Sequence, residues 1–538
     1  MYVGMVAILR YMSTFINNIK KLSPIFESDR NFYIVVFVAL LVANFPFGFQ
    51  YFRFSDDYNL YGVFSLFRQN IWQYVMVDYA LYGMRPLAGF TDAYIIAWFW
   101  DSLHFVLLAI VVLRFFTIVL LDKIFARSGI TWGRVAAIFF GFFPASTESA
   151  YWISAASRIV TSGFLSALAA YAILKFVYKE KGRWIWFSVA MVSGLLAQGY
   201  YEQGVIFSFV VTLGVLIIHR KAVTNKILYL WPFINLAIIG AHYYIFRNIG
   251  HLAHRTEVAE HSFFRQIYIV LEKIYLAYIW EQAPTIVNTI TWGFAEMLRE
   301  NTLLTISVLI LAILLTLFVV FDKDKPAQKP VFSLLSTVIL FSCTFGVFFI
   351  IAQSFVWVRN LYFSLIGLAI AAEIIMRAVP FNKHVFGRVG KAGIAFCVTL
   401  VFISGFVMEV ESLRRLERDD SLIIQNLSAA MIEHNVDEND TVWLLGLWYA
   451  YDYKISPRIA SQVRFDWALL GHWQVYNRTT AHRRINPIMR RVEVCPSYDD
   501  ILFGIDDYLN VRLLFHYGRY LFFADTGERF YRNYRIIE

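Results

Sequence analysis

The 538 residues are 59% apolar and 18% aromatic but only 16% charged, with a mean hydropathy of +0.55. Soluble domains carry about 25% charge, so an ordinary soluble protein is excluded and an integral membrane protein is predicted. A net charge of +9 fits an excess of Lys and Arg in cytoplasmic loops better than nucleic-acid binding, and Cys343, Cys397 and Cys495 supply neither a disulfide framework nor a CxxC metal pair.

Along the chain, "INNIKKLSPIFESDRN" is polar and basic and lacks a small-residue cleavage site, so residues 1–32 are expected to be a cytoplasmic segment ahead of a retained anchor. Apolar runs of about 20 residues predict spans near 33–50, 93–120, 132–144, 152–177, 184–198, 203–218, 227–246, 302–321, 332–351, 360–376 and 391–409, about eleven in all, several of them short. Basic residues fall in the N-terminus and in alternate loops: Lys123 and Arg127; Lys179, Lys181 and Arg183; Arg220, Lys221 and Lys226; "DKDKPAQKP"; "RAVPFNKHVFGRVGK". The positive-inside rule makes that side cytoplasmic, which turns the loops 51–92, 145–151, 199–202, 247–301 and 352–359 outward.

An odd number of spans also places the tail, 411–538, outside. Its helix-like "SLIIQNLSAAMIEHN" and strand-like "TVWLLGLW", "VRLLFHY" and "RYLFFA" predict a small α/β domain after the transmembrane module of 33–410. Asn426, Asn439 and Asn477 stand in N-x-S/T sequons, which are common by chance. The fourth outer loop, "HLAHRTEVAEHSFFRQIYIVLEKIYLAYIW", reads as one or two amphipathic helices at the membrane interface, with His251, His254 and His261 solvated.

Ionisable residues near a bilayer are functional candidates by default, and here they crowd the outward span ends. The first outer loop holds Asp56, Asp57, Arg68, Asp78, Arg85 and Asp92; Glu148, Arg158, Glu202 and Arg359 follow at later ends. Asp56 and Asp57 suit two roles, acids in the first turn of a helix or a general base with a neighbour that orients it. Arg85, before Pro86, suits either a bidentate phosphate grip or interfacial snorkelling. Asp101 and His104, three apart, share a helix face and can satisfy one another.

Several of these residues together resemble a family. An acidic pair follows the first span, "RPL" precedes a second span bearing His104, and "FPASTESAYWISAASRIV" leads into the fourth with Pro144, Glu148, Trp152 and Arg158 in order; "VWVRNLYFSLIGLAI" matches Arg-x-Leu-Tyr-x-x-x-x-Gly at Arg359, Leu361, Tyr362 and Gly367. This order is similar to the C-type (GT-C) membrane glycosyltransferases, nearest the protein O-mannosyltransferase-like branch, over roughly residues 33 to 376. In "SGLLAQGYYEQGVIF" Glu202 matches the family's Lys-Glu turn but Tyr201 replaces the Lys, and no tetratricopeptide repeats follow.

The resemblance implies an inverting glycosyltransferase that takes a sugar from a polyprenyl-phosphate donor, undecaprenyl phosphate in bacterial envelopes. Asp56 or Asp57 would be the general base. Arg85, Arg158 and Arg359 would bind the donor phosphate, with Glu148, Glu202, His104 and Tyr362 contacting substrate or supporting those that do. It implies a glycan or protein acceptor and a bacterial inner (plasma) membrane location with the site facing the periplasm or exterior. No spacing specifies a metal site, and a divalent cation stays open. A lipid-linked glycan polymerase or ligase, and a flippase or transporter, remain alternatives; the latter would need polar residues at mid-bilayer depth.

Overall fold

The computed structural model describes residues 23–54, 56–58, 85–179, 181–249, 262–322, 330–349, 358–378, 385–437, 440–445, 466–479, 484–488, 500–505, 511–516 and 519–520, most of them helical. Each predicted span falls on a helix. Among the described residues, however, only five helices are long and apolar enough to cross a membrane by themselves: Ile96–Ser128, Ile153–Val177, Lys226–Ile245, Thr302–Val320 and Val389–Glu433. Glu202–Ile218 and Val331–Cys343 are apolar but shorter. Arg134–Phe142 has nine residues, a rise of about 13 Å against a hydrocarbon core of about 30 Å, and the chain goes on through the turn Pro144–Ser146 and the short helix Thr147–Ala150.

The Ile153–Val177 helix is the axis of the bundle, packed on Arg183–Tyr200, Leu103–Ser128 and Glu202–Ile218. Its sequence explains the placement: Ser157, Gly163, Ser166, Ala167 and Ala170 are buried, and small residues let helix backbones approach closely in a membrane. Gly163 is needed, because a Cβ there would lie 3.0 Å from the Tyr362 ring. One end of the bundle is clamped by buried Arg134, which donates to Phe26 O at 2.5 Å, Phe318 O at 2.6 Å and Glu27 O at 2.8 Å. That clamp joins the first segment, the Thr302–Val320 helix and Arg134–Phe142 in one polar knot.

Two expectations change. The predicted boundary at 410/411 lies inside one 49-residue helix, Val385–Glu433, about 74 Å long, so the last span runs on as the first element of the tail. The fourth outer loop is helical without a break from 263 to 300, with wide π-helical turns at Leu276–Gln282 and Thr289–Gly293. It buries Val270, Ala277, Thr285 and Met297 while Phe264, Tyr268, Leu271 and Tyr275 are exposed, the two-faced pattern of an interfacial helix. His251, His254 and His261 lie outside the described residues, as do Arg68, Asp78 and Asn439.

The tail carries a five-stranded sheet, β1 (Thr441–Leu445), β2 (Arg484–Ile488), β3 (Asp500–Ile505), β4 (Val511–His516) and β5 (Arg519–Tyr520), in the order β2-β1-β3-β4-β5. β1 is parallel to β2 and β3, and β3, β4 and β5 are antiparallel. Val442 and Leu444, two apart on β1, pack with Ile423, Ile424 and Leu427 of the long helix and Trp473 of the Asp466–Tyr476 helix. Alternate residues of a strand share a face, so one side of β1 is sealed onto the long helix.

Candidate functional site

The two adjacent acids have different surroundings. Asp57 is fully buried and both of its oxygens are occupied. Oδ1 accepts from Ser154 N at 2.9 Å and Ser154 Oγ at 2.7 Å; Oδ2 accepts from Phe54 N at 2.9 Å and from the Tyr51 hydroxyl. Tyr51 Oη in turn accepts from Ile153 N at 3.0 Å, and Tyr151 Oη accepts from Phe52 N at 2.9 Å. Asp57 thus ties the first outer loop to the first turn of the central helix, with four donors on its four acceptor positions. Burial pushes its pKa up to about 6 against the pull of those hydrogen bonds.

Asp56 is half-exposed and close enough to Asp92 for its charge to raise the Asp92 pKa. Burial is the larger cause of that rise, and Arg158 and Arg85 oppose it.

The three predicted arginines converge on one residue. Burial raises the Tyr201 phenol pKa, and the charges of Arg85, Arg359 and Arg158 all pull it back, so all three lie within electrostatic reach of it. Arg85 lies over the Tyr201 ring at 4.5 Å, and its Nε donates to Glu202 Oε1 at 2.7 Å. Arg158 is ion-paired with fully buried Asp92. Arg359 lies over the Trp152 ring at 4.9 Å. Asn360 Nδ2 donates to Tyr201 Oη at 2.6 Å, and Gln203 Nε2 donates to Thr344 O at 2.9 Å and Asn360 O at 3.0 Å. Tyr201 thus contributes both its ring, under Arg85, and its hydroxyl, bonded by Asn360, to the cluster.

Local sequence builds this geometry. Pro86 at the first position of Pro86–Tyr94 has a fixed φ suited to a helix start and turns Arg85 toward the cluster. Tyr201 is extended between two helices (φ −155°, ψ 137°), which makes Glu202 the first residue of the next one, where an acid is favoured. Pro86–Tyr94 closes on Arg183–Tyr200 because residue 199 is glycine: a Cβ would come within 2.6 Å of Leu87 Cγ. Thr91 Oγ1 and Tyr200 Oη hydrogen-bond across the seam at 3.0 Å.

The tail seats directly on the acid-bearing loop. His472 stacks on Tyr58, ring centroids 4.0 Å apart at 16°, and its Nε2 shares a 3.0 Å hydrogen bond with Ser421 Oγ. Arg53 pairs with Glu417 at 3.1 Å and lies over Trp100 at 4.8 Å. Burial lowers the His472 pKa to about 3, with Arg53 adding to the effect. His472 is then neutral in the folded protein but titrates near 6.5 when unfolded, so the stability of this joint is lost as pH falls from about 6.5 toward 3. His472→Asn is expected to flatten the fall in melting temperature between pH 6.5 and 4.5; a slope equal to wild type would contradict the assignment.

Other predicted residues are placed differently. His104 lies against Phe49 at 4.8 Å, and Asp101 faces Arg478 of the tail at 3.3 Å, so the expected Asp101–His104 pair gives way to two separate contacts. Tyr362 is fully buried against Phe140 and Gly163, on the bundle side of the turn whose neighbours Arg359 and Asn360 enter the cluster. Glu148 is half-buried in Thr147–Ala150, which packs on the Val358–Leu361 turn. Asn477 donates to Ser428 Oγ and Trp473 O, and Asn426 sits within the long helix. Among the described residues no group of three His, Cys, Asp or Glu converges as a metal site.

Sequence reasoning missed Asn360, His472 and Arg114, a charged residue inside the second span. Arg114 was visible as an arginine within an apolar run; the other two carried no signal. Compared with known proteins, the chain matches no family model, no curated protein and no solved structure.

Proposed function

We propose that the protein is an inverting glycosyltransferase of the C-type membrane class that moves a sugar from a polyprenyl-phosphate donor to a hydroxyl of a cell-envelope glycan or protein. The observation that supports it most is the grouping of Arg85, Arg158 and Arg359 within electrostatic reach of Tyr201, with half-exposed Asp56 acting on Asp92, the ion-pair partner of Arg158. Three guanidinium groups at one span-end cluster suit a phosphate rather than a neutral ligand. Glu202 and Asp92 hold two of them in place, so little ordering remains to be done when the charge develops.

In this reading the bundle completes about eleven crossings with the N-terminus in the cytoplasm. The cluster and the tail domain face the periplasm or exterior of a bacterial inner membrane. The acceptor oxygen attacks the anomeric carbon and its proton passes to Asp56. The bond from the anomeric carbon to the phosphate oxygen breaks, and polyprenyl phosphate departs with its negative charge among the arginines. Asp57 serves as the brace that fixes Asp56. The tail, seated on the same loop through Tyr58 and His472, lies where an acceptor would approach.

Binding of a short-chain polyprenyl phosphate, followed by tryptophan fluorescence, tests the phosphate site. Arg359→Met is expected to weaken it by about 10–100-fold, the loss of a charge-assisted hydrogen bond, while the matching polyprenol binds wild type and variant alike. Equal phosphate affinity in the two proteins would contradict the reading.

A further inference from the structure

The bundle encloses a positive charge that no described carboxylate pairs. Arg114 stands eleven residues beyond Leu103, the first residue of its helix, about 16 Å along it, and is 1% exposed. Nη2 donates to Ser146 Oγ at 2.6 Å and Phe140 O at 3.3 Å, and the guanidinium lies 5.4 Å from the centre of the Phe406 ring. Nε and Nη1 make no hydrogen bond, which leaves three of the five N–H groups unused. The phenol of Tyr362 is the titratable group whose charge reaches Arg114; it is fully buried, and the Thr117 side chain is the one that reaches its hydroxyl.

Arginine stays protonated in proteins, and an uncompensated charge is costly inside a membrane protein. A water molecule would satisfy N–H groups but leave the charge. The unused groups at this position are N–H, which suit an anion and not a cation, and the burial of Arg114 favours a small one.

We propose that Arg114 binds a small monovalent anion of the halide class, chloride under cellular conditions, as a structural counter-ion within the bundle. Its place gives it a consequence. Through Ser146, Arg114 fastens the segment Pro144–Ala150, which carries Glu148 and packs on the turn that bears Arg359. The bound anion therefore stiffens one wall of the arginine cluster. The proposal does not depend on the transferase reading.

The test is thermal unfolding of the purified full-length protein in detergent, titrated with sodium chloride or bromide against sodium gluconate at constant ionic strength. The expected result is a saturable rise in Tm with either halide and none with gluconate. Arg114→Gln is expected to abolish the response. Should Arg114→Gln fail to fold, anomalous scattering from bromide-soaked crystals of the wild type decides, with one bromide expected beside Nε of Arg114. Identical melting in chloride and gluconate, an unaltered halide response in Arg114→Gln, or no bromide at Arg114 would each overturn the proposal.

Discussion

Asp56→Asn is expected to lower sugar transfer by a factor of about 10²–10⁴ while leaving the melting temperature close to that of wild type. The factor follows from the role. An acceptor hydroxyl has a far higher pKa than any carboxylate, so the proton has to leave as the new bond forms, and an amide cannot take it. The unchanged stability follows from position, since Asp56 is half-exposed and substitutions at such sites are usually within about 0.5 kcal/mol. The effect should fall on turnover rather than on donor affinity, because the arginines, not Asp56, hold the phosphate. Initial rates with saturating donor and a measured Kd for polyprenyl phosphate separate the two. A large loss of donor affinity with turnover intact would assign Asp56 to binding instead.

Asp57→Ala is expected to do the opposite and act on stability. Removing the carboxylate strands the buried N–H groups of Phe54 and Ser154 and frees the hydroxyls of Tyr51 and Ser154. Each stranded buried donor costs about 1–3 kcal/mol, so a loss of about 3 kcal/mol is expected at mildly acid pH. The loss should depend on pH with a defined sign. Burial raises the Asp57 pKa from 3.8 to about 6, so its contribution to stability is complete below 3.8 and declines as pH rises through 6. The difference between wild type and Asp57→Ala should therefore be larger at pH 4.5 than at pH 7.5. The His472 effect runs in both proteins and cancels in that difference. Chemical unfolding of both proteins at the two pH values checks it, and a difference that grows with pH would contradict the account.

Much of the fold was legible because apolar runs and helices coincide: each predicted span lies on a helix. The number of independent crossings was not, since a nine-residue helix such as Arg134–Phe142 is too short to span a bilayer alone and hydropathy does not reveal where a helix stops. The tail boundary misled for a physical reason. "ESLRRLERDD" is charged enough to read as a linker, but Glu411 pairs with Arg414 and Arg415 three and four residues on, spacings that support a helix. The long helix therefore passes through the charged stretch without a break.

The candidate site was legible in outline. Arginines at the ends of apolar runs announced themselves as costly residues near a bilayer. What separates Asp56 from Asp57 was hidden, because the burial of Asp57 depends on Ser154, 97 residues away. The placement of Tyr362 was hidden for a similar reason: it stands near Arg359 in sequence, while its ring turns into the bundle toward Phe140 and Gly163. His472 reached the first outer loop only through the docking of the tail, which no local pattern signals.

The most direct test of the central claim is sugar transfer by the purified protein from a panel of labelled polyprenyl-phosphate sugars, with an envelope glycan fraction as acceptor and Asp56→Asn alongside. The account predicts that one donor is consumed, that polyprenyl phosphate and a product of inverted anomeric configuration appear together, and that Asp56→Asn forms neither at a comparable rate. A donor consumed equally by the wild type and Asp56→Asn would contradict the assignment of the base, and a panel left intact with acceptor present would contradict the transferase itself.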